Sequence, residues 1–248
     1  MTALKIFLNG SKGRLNQTLA AYASANSVQV CTGGVCPREN PEPGLREADV
    51  AIDFSFHSAT LPLVQLAARL KKPIVIATTG HSEAEREAIL PYAQQIPIMW
   101  SGNYAIGVNV FFYAVRKAAE RLGDLFDLEV IESHHAKKKD SPGGTAMRLV
   151  EILTKAYDWN PQETDVTHGR YGIIGARPPR QIGMHAIRAG DIIGEHTVLF
   201  AGPGERIEIT QRSQTRDTFA QGSLMAARWL LDKPNGLYRM EDVLNLND

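Results

Sequence analysis

Short continuous apolar runs and longer stretches of helical period alternate through the first hundred residues. Residues 4–8, 28–31, 50–54, 74–77 and 97–100 are runs of about the length of buried strands. Between them, 14–25 places Leu15, Leu19, Tyr22 and Ala23 on one helical face. Residues 58–70 do the same with Leu61, Val64 and Ala68. Ser82 followed by Glu85 is a capping box, which predicts a helix over 82–95. The segment 32–44 is rich in Gly and Pro and reads as loop. Strands without polar alternation, separated by helices, predict a doubly wound parallel sheet.

The pattern changes near residue 105. A long helix is expected over 108–122, a strand over 128–133 and a helix over 144–157. Residues 158–180 carry little periodicity and read as loop. Runs at 182–188, 192–201 and 206–212 follow with short connections, for which antiparallel pairing is expected. A last amphipathic helix spans 218–231. The chain is therefore read as α/β in two domains, a nucleotide-type domain over 1–105 and a mixed α/β domain over 106–215. The tail 216–248 is expected to pack back onto the first.

Composition narrows the function. The 248 residues carry 27 basic and 27 acidic side chains, a formal net charge of zero. No excess of either sign invites nucleic acid or an anionic membrane, so a small-molecule partner is expected. No run approaches the roughly 20 apolar residues that span a bilayer, and the N-terminal run is too short for a signal peptide. A cytoplasmic location is expected. Cys31 and Cys36 make no disulfide framework and are read as reduced thiols.

The first strand enters the turn Gly10-Ser11-Lys12-Gly13-Arg14-Leu15. Glycines there let the backbone approach a pyrophosphate, and the following helix offers free N–H groups. The strict G-x-G-x-x-G spacing is absent: Lys12 replaces one glycine, and Asn16 stands where a third would be. No carboxylate follows the second strand to hold an adenosine ribose, and Arg38 lies in a loop where exposed arginines are ordinary. The choice between NADH and NADPH stays open. Two more turns fall at strand ends, Ala77-Thr78-Thr79-Gly80 and Ser101-Gly102-Asn103-Tyr104. Ligands of open α/β sheets bind beyond such ends, although small polar residues are also ordinary turn formers.

The segment from Glu132 to Ala146, ESHHAKKKDSPGGTA, carries the most chemistry. Its lysines supply point charge for carboxylates. Gly144 and Thr145 open a helix whose amides are free donors. A histidine there can deliver a proton near neutral pH. A solvated basic loop is the plain alternative. The lysines would lower a histidine pKa and Glu132 or Asp140 would raise it. His185 and His196 lie on later strands, but no H-x-x-x-H or C-x-x-C spacing supports zinc, and no metal is expected.

This segment resembles the signature E-x-H-H-x-x-K-x-D-x-P-S-G-T-A of the 4-hydroxy-tetrahydrodipicolinate reductase family, with Gly143 where serine is usual. The resemblance extends along nearly the whole chain. Residues 10–17, GSKGRLNQ, are similar to G-x-x-G-R-M-G-R. Residues 50–54 are similar to V-x-I-D-F and 77–80 to G-T-T-G. Residues 103–109 are similar to N-[FY]-S-[IV]-G-V-N, and 188–196 to R-x-G-D-I-V-G-E-H. The resemblance implies a Rossmann-like first domain and a second domain for substrate binding and oligomerisation, in a homotetramer. It implies NADH or NADPH as cofactor and hydride transfer to ring C4 of an unsaturated dicarboxylate, after loss of water, to give tetrahydrodipicolinate. In that scheme His134 is the general acid and Lys138 assists it or grips a carboxylate. His135, Gly144 and Thr145 contact substrate. Gly10, Ser11, Lys12, Gly13, Arg14, Leu15, Ala77, Thr78, Thr79, Ser101, Gly102, Asn103 and Tyr104 line the dinucleotide.

Two other readings compete. Another dehydrogenase of this architecture, such as an aspartate dehydrogenase, would share the cofactor turn but has no use for the His-His-x-x-Lys loop. A non-catalytic nucleotide sensor would explain the irregular first turn, and would bind cofactor without turnover.

Overall fold

The computed structural model describes residues 3–10, 13–31 and 40–247. Ser11, Lys12, Cys36, Arg38 and the rest of 32–39 lie outside the described residues, as does the side chain of Arg14. The chain divides into two compact units, Met1–Asn109 with Arg216–Asp248, and Val110–Thr215. Among the described residues no helix is long and apolar enough to cross a membrane.

The first unit is built on strands β1 (Lys5–Asn9), β2 (Gln29–Cys31), β3 (Val50–Asp53), β4 (Ile74–Ile76), β5 (Pro97–Trp100) and β11 (Gly236–Tyr238). They form one parallel sheet in the order β11-β5-β4-β3-β1-β2. Alternate side chains leave opposite faces. Ile6, Leu8, Val50, Ile52, Val75 and Met99 pack one way, with Leu19 and Ala23 of α1 (Arg14–Ala25) and Leu224, Ala227 and Leu230 of α7 (Asp217–Leu230). Phe7, Ala51, Ile74, Ile76 and Ile98 pack the other way, with α2 (Glu42–Glu47), α3 (His57–Arg69) and α4 (Glu83–Ile89). The chain runs from β1 outward to β2 and returns to β3 on the far side of β1. The carboxyl ends of β1 and β3 thus flank a topological switch point, the usual ligand position in such sheets.

Local chemistry explains where elements begin and end. The capping box of α4 is present, with Glu85 N–H donating to Ser82 Oγ and Ser82 N–H to Glu85 Oε2. The α-helix ends at Ile89 rather than 95, and Leu90–Gln94 continues as a 3-10 turn, because Pro91 has no N–H and crowds the preceding turn. Residues 42–44, expected as the end of a loop, instead begin α2: Pro43 is tolerated in the first turn, and Arg46 pairs with Glu42 one turn back. β11 and the short α8 (Met240–Val243) carry little pattern, and β11 exists by pairing with β5.

The second unit holds β6 (Asp127–His134), β7 (Asp165–His168), β8 (Gln181–Arg188), β9 (Gly194–Gly202) and β10 (Glu205–Ser213), in the order β10-β9-β6-β8-β7. Leu128, Val130, Ile182, Met184, Val198 and Phe200 cover one face, against α5 (Ile106–Leu122) and α6 (Gly144–Ala156). The antiparallel pairing expected for the last three strands holds for β9 with β10. It fails for β8, which pairs parallel with β6 and β7, while β9 takes the opposite edge of β6. β7 falls in the stretch expected to be loop. Its sequence DVTH has little apolar pattern, and it is a strand by virtue of pairing with β8.

Candidate active site

In the first unit the turn after β1 is shaped by contact as well as by glycine chemistry. Gly10 has φ +86, and a Cβ there would stand 2.6 Å from Phe54 O. Only glycine fits this position. Gly13 is the N-cap of α1, with no capping side chain and no acidic residue in the first turn. The start of this 12-residue helix therefore keeps uncapped amides, which suit a pyrophosphate. Asn16, in place of a third glycine, is 1% exposed and donates from Nδ2 to Asn9 O (2.8 Å) and Phe54 O (3.2 Å). Its amide ties the two sides of the switch point together, which is the physical content of that departure.

Behind the turn lies a buried polar network. Asp53, at the end of β3, is fully buried. It accepts from Asn9 Nδ2 (2.8 Å), Thr60 Oγ1 (2.6 Å) and Ser55 Oγ. Because the Thr60 hydroxyl proton goes to Asp53, its oxygen accepts from His81 Nε2 at 2.9 Å. His81 therefore carries its proton on Nε2, and its buried Nδ1 is bare, without a partner among the described residues. Burial pushes the His81 pKa below the ordinary histidine value, against the pull of Asp53. Thr78 Oγ1 accepts from Ser55 N–H (2.9 Å) and donates to Asp53 O (3.2 Å), so this side chain serves the network. Ala77 is buried in the core, whereas Thr79 is exposed.

The fourth strand-end turn is equally fixed. Tyr104 is 1% exposed, and its hydroxyl donates to Ile76 O (2.9 Å), with Met99 O at 3.3 Å. Burial pushes that phenol pKa up. Ser101 Oγ donates to Asn103 O, and Asn103 Oδ1 accepts from Ala105 N–H. Gly102 is exposed. Gly222 of α7 lies so close to Tyr104 O that an added Cβ would overlap it.

In the second unit the connection between β8 and β9 crosses the carboxyl end of β6 and clasps His134. Ala189 N–H donates to His134 O (2.9 Å), and Ala136 N–H to Gly190 O (3.1 Å). His134 Nδ1 lies 3.0 Å from Ile193 O. A carbonyl can only accept, so Nδ1 carries a proton and the neutral ring keeps its lone pair on Nε2. Burial is the main cause that lowers the His134 pKa, opposed by Ile193 O and Glu132 and helped by Lys138 and Arg188.

Glu132 sits on the same strand, on the stripe of Leu128 and Val130, and is fully buried. Arg188 donates to its Oε1 at 2.6 Å, and Gly143 N–H to its Oε2 at 3.0 Å. The Gly143 amide, the donor retained despite the missing serine hydroxyl, is thus spent on Glu132. A Cβ on Gly143 would stand 2.9 Å from Glu132 Oε2 and 3.0 Å from Lys138 Cε. Of the three lysines, 137 and 139 are exposed, while the Lys138 side chain is 20% exposed and held by both oxygens of Asp140 at 2.7 Å. His135 is half-buried, with Nδ1 lacking a partner among the described residues. Gly143 begins α6 without a capping side chain, leaving Gly144 and Thr145 in its first turn. The Ser141–Pro142 peptide in this loop is cis.

His196 joins the cluster across the sheet. It is the register partner of Glu132 and lies edge-on to His134, ring centroids 5.3 Å apart. Burial, with His134 beside it, holds its pKa down to about 4. Sequence reasoning assigned no role to Asn16, Asp53 or Arg188, took Glu132 only as a charge that raises a histidine pKa, and set His196 aside as a metal ligand. Charged residues closing otherwise apolar strands were the available signal. His185 takes no part here: it bonds Glu129 at 2.6 Å.

A doubly wound sheet with a glycine turn at its switch point, joined to a unit bearing an oriented histidine and a held lysine, defines a nucleotide-dependent oxidoreductase. Residues 4–104 match the family model of the dihydrodipicolinate reductase N-terminus, and residues 107–244 that of its C-terminus. The chain belongs to the dihydrodipicolinate reductase family. It is 46% identical to 4-hydroxy-tetrahydrodipicolinate reductase of Akkermansia muciniphila, over 98% of this chain and 99% of that protein. It is 45% identical to the same enzyme of Desulfotalea psychrophila, over the same shares. The dipicolinate-bound dihydrodipicolinate reductase of Paenisporosarcina sp. TG-14 shares the fold, with TM-score 0.76 and 20% identity over 96% of this chain and 97% of that one.

Proposed function

We propose that this protein reduces 4-hydroxy-tetrahydrodipicolinate to tetrahydrodipicolinate with a pyridine nucleotide, in lysine and diaminopimelate biosynthesis. The observation that carries the reading is the folded signature segment. One short stretch presents an oriented imidazole, a held lysine and an uncapped helix start, the set a dicarboxylate reductase requires. Family membership favours it over an aspartate dehydrogenase or a nucleotide sensor.

The nucleotide, when bound, supplies the hydride. Everything else falls to the chain. Gly10, Ser11, Lys12, Gly13, Arg14 and Leu15 are taken to hold the pyrophosphate, supported by the left-handed Gly10 and the uncapped start of α1. Ala77, Thr78, Thr79, Ser101, Gly102, Asn103 and Tyr104 are taken to line the rest, several through backbone alone, since the side chains of Thr78 and Tyr104 are engaged internally. Gly144 and Thr145 grip one carboxylate through amides and hydroxyl. Lys138, released from Asp140, and His135 contact the substrate. His134 donates a proton from Nε2 as the ring is reduced. A pKa lowered by burial makes it a readier donor once charged, and a dianion beside it favours the charged state.

The same reading takes the protein as a cytoplasmic homotetramer. Ile187 and Ile207 on the second sheet, and Tyr171 and Ile173 on the loop before β8, are exposed apolar side chains that such contacts would cover. It uses NADH or NADPH. The test is a coupled assay in which pyruvate and aspartate semialdehyde are condensed by a synthase and nucleotide oxidation is followed optically. Rapid synthase-dependent oxidation is expected, and the ratio of rates assigns the nucleotide. No oxidation with either, from folded protein, would refute the assignment.

A further inference from the structure

Three ligand-type groups converge at the end of β6. Glu132 Oε2 lies 3.7 Å from His134 Nε2 and 3.9 Å from His196 Nε2. One ligand atom from each lies within 4.8 Å of the others. A tetrahedral ion with bonds of about 2.0–2.2 Å spaces its ligand atoms about 3.4 Å apart, so shifts of roughly an ångström would close the set.

Each group is also prepared for that task. His134 Nδ1 donates to Ile193 O, the outer hydrogen bond that metal-ligating histidines usually make, and its Nε2 keeps a lone pair. Glu132 gives Oε1 to Arg188, while Oε2 accepts the Gly143 amide and retains a second lone pair. His196 is the telling member. Its side chain is 5% exposed; Gln211, its register partner on β10, serves the ring from one side, while Nε2 faces Glu132 at 3.9 Å with no hydrogen-bond partner among the described residues. Buried imidazole nitrogens are normally satisfied, so an Nε2 aimed at a carboxylate and a second imidazole points to a ligand. Edge-on packing against His134 explains the ring position and leaves Nε2 unexplained.

We propose that Glu132, His134 and His196 form a binding site for one divalent ion of the zinc class, with a fourth position open beside His134. Two imidazoles and one carboxylate match the ligand set of zinc and cobalt, and are too nitrogen-rich for magnesium or calcium. The ion occupies the Nε2 lone pair that the reducing enzyme protonates, so it is an inhibitor. The charges of Arg188 and Lys138, which would oppose a cation, are already paired with Glu132 and Asp140. Sequence spacing gave no sign of such a site, because its members come from β6 and β9 and meet only through strand register.

Binding depends on this geometry alone, whereas inhibition also rests on His134 being the acid. Metal-stripped full-length protein, without nucleotide or dicarboxylate, is titrated with cobalt(II) and read by visible d–d absorption. Zinc is titrated in competition with a chromophoric chelator. The expected result is one equivalent bound with a four-coordinate cobalt spectrum. Affinity should fall at least about tenfold in His196→Gln and stay unchanged in His168→Gln, an exposed histidine of β7. Zinc at the same concentration stops nucleotide oxidation, and a chelator restores it. If His196→Gln does not fold, zinc-induced shifts of the His134 and His196 imidazole resonances in the wild type carry the test. No one-equivalent binding, or equal affinity in folded His196→Gln, overturns the site. Binding without inhibition upholds the site and removes His134 from proton transfer.

Discussion

Gly222 offers a test in which two physical arguments give opposite signs. It lies inside α7, where helix propensity alone says that Gly222→Ala should stabilise by about 1 kcal/mol. Packing reverses this. A Cβ on Gly222 would stand 2.8 Å from the Tyr104 carbonyl carbon and overlap its oxygen. Carbon and oxygen in van der Waals contact stay at least about 3 Å apart, so α7 or the backbone at 104–105 must retreat by more than about 1 Å to clear the oxygen. Neither yields easily. The Tyr104 hydroxyl is held to Ile76 O at 2.9 Å, and Ala105 N–H is held to Asn103 Oδ1 at 2.9 Å. Overpacking of this kind costs about 1–3 kcal/mol, and weakening one of those hydrogen bonds adds about 1 kcal/mol. After the propensity gain, the net expectation is a loss of about 1–3 kcal/mol. Because the displaced turn carries Ser101 to Tyr104, NADH affinity, read by fluorescence titration, should fall as well. Urea unfolding of nucleotide-free protein gives the stability. A variant as stable as the wild type, or more so, with unchanged NADH binding would refute the packing argument.

Other perturbations address the site and its support. His134→Gln should lower kcat by about 10²–10⁴ with NADH affinity little changed; unaltered turnover in the coupled assay would exclude it as the acid. Lys138→Ala should raise KM for the dicarboxylate and slow turnover, and a normal KM would count against a carboxylate grip. Thr60→Val keeps the shape but strips Asp53 Oδ2 and His81 Nε2 of their shared partner, so chemical unfolding should show a loss of about 2–4 kcal/mol, and a loss under 0.5 kcal/mol would contradict a satisfied network. The His57 ring, aided by the Ser82 amide, holds the Glu85 carboxyl down to about 2, against an ordinary value of 4.5. A depressed acid stabilises the fold above its unfolded pKa and loses that contribution as pH falls from about 4.5 toward 2. Glu85→Gln should therefore lower Tm at pH 7 and converge on the wild type near pH 2; an equal Tm difference at both would disprove the linkage.

The amino-acid sequence determined most of the first sheet. Apolar runs too short for helices, separated by amphipathic stretches, have one economical solution, strands buried on both faces. The capping box at Ser82 and the helical period of 14–25 are local signals and appear where expected. The chemistry of the Glu132–Ala146 segment was legible too, since its residue types are packed into a short contiguous stretch. Tertiary structure alone decided the rest. β11, with three residues, and β7, reading DVTH, have no pattern of their own and are strands because a neighbouring edge offers hydrogen bonds. β8 lies parallel to β6 because β9 takes the opposite edge, and short connections in sequence say nothing about which edge is filled. Glu132, Arg188 and His196 come together by the same strand register, and Asp53, Thr60 and His81 by the meeting of strand ends. Periodicity reports which way a side chain faces. It carries no information on which strand lies alongside, and in this protein that choice of neighbour gathers the buried polar groups around His134 and those behind the turn after β1.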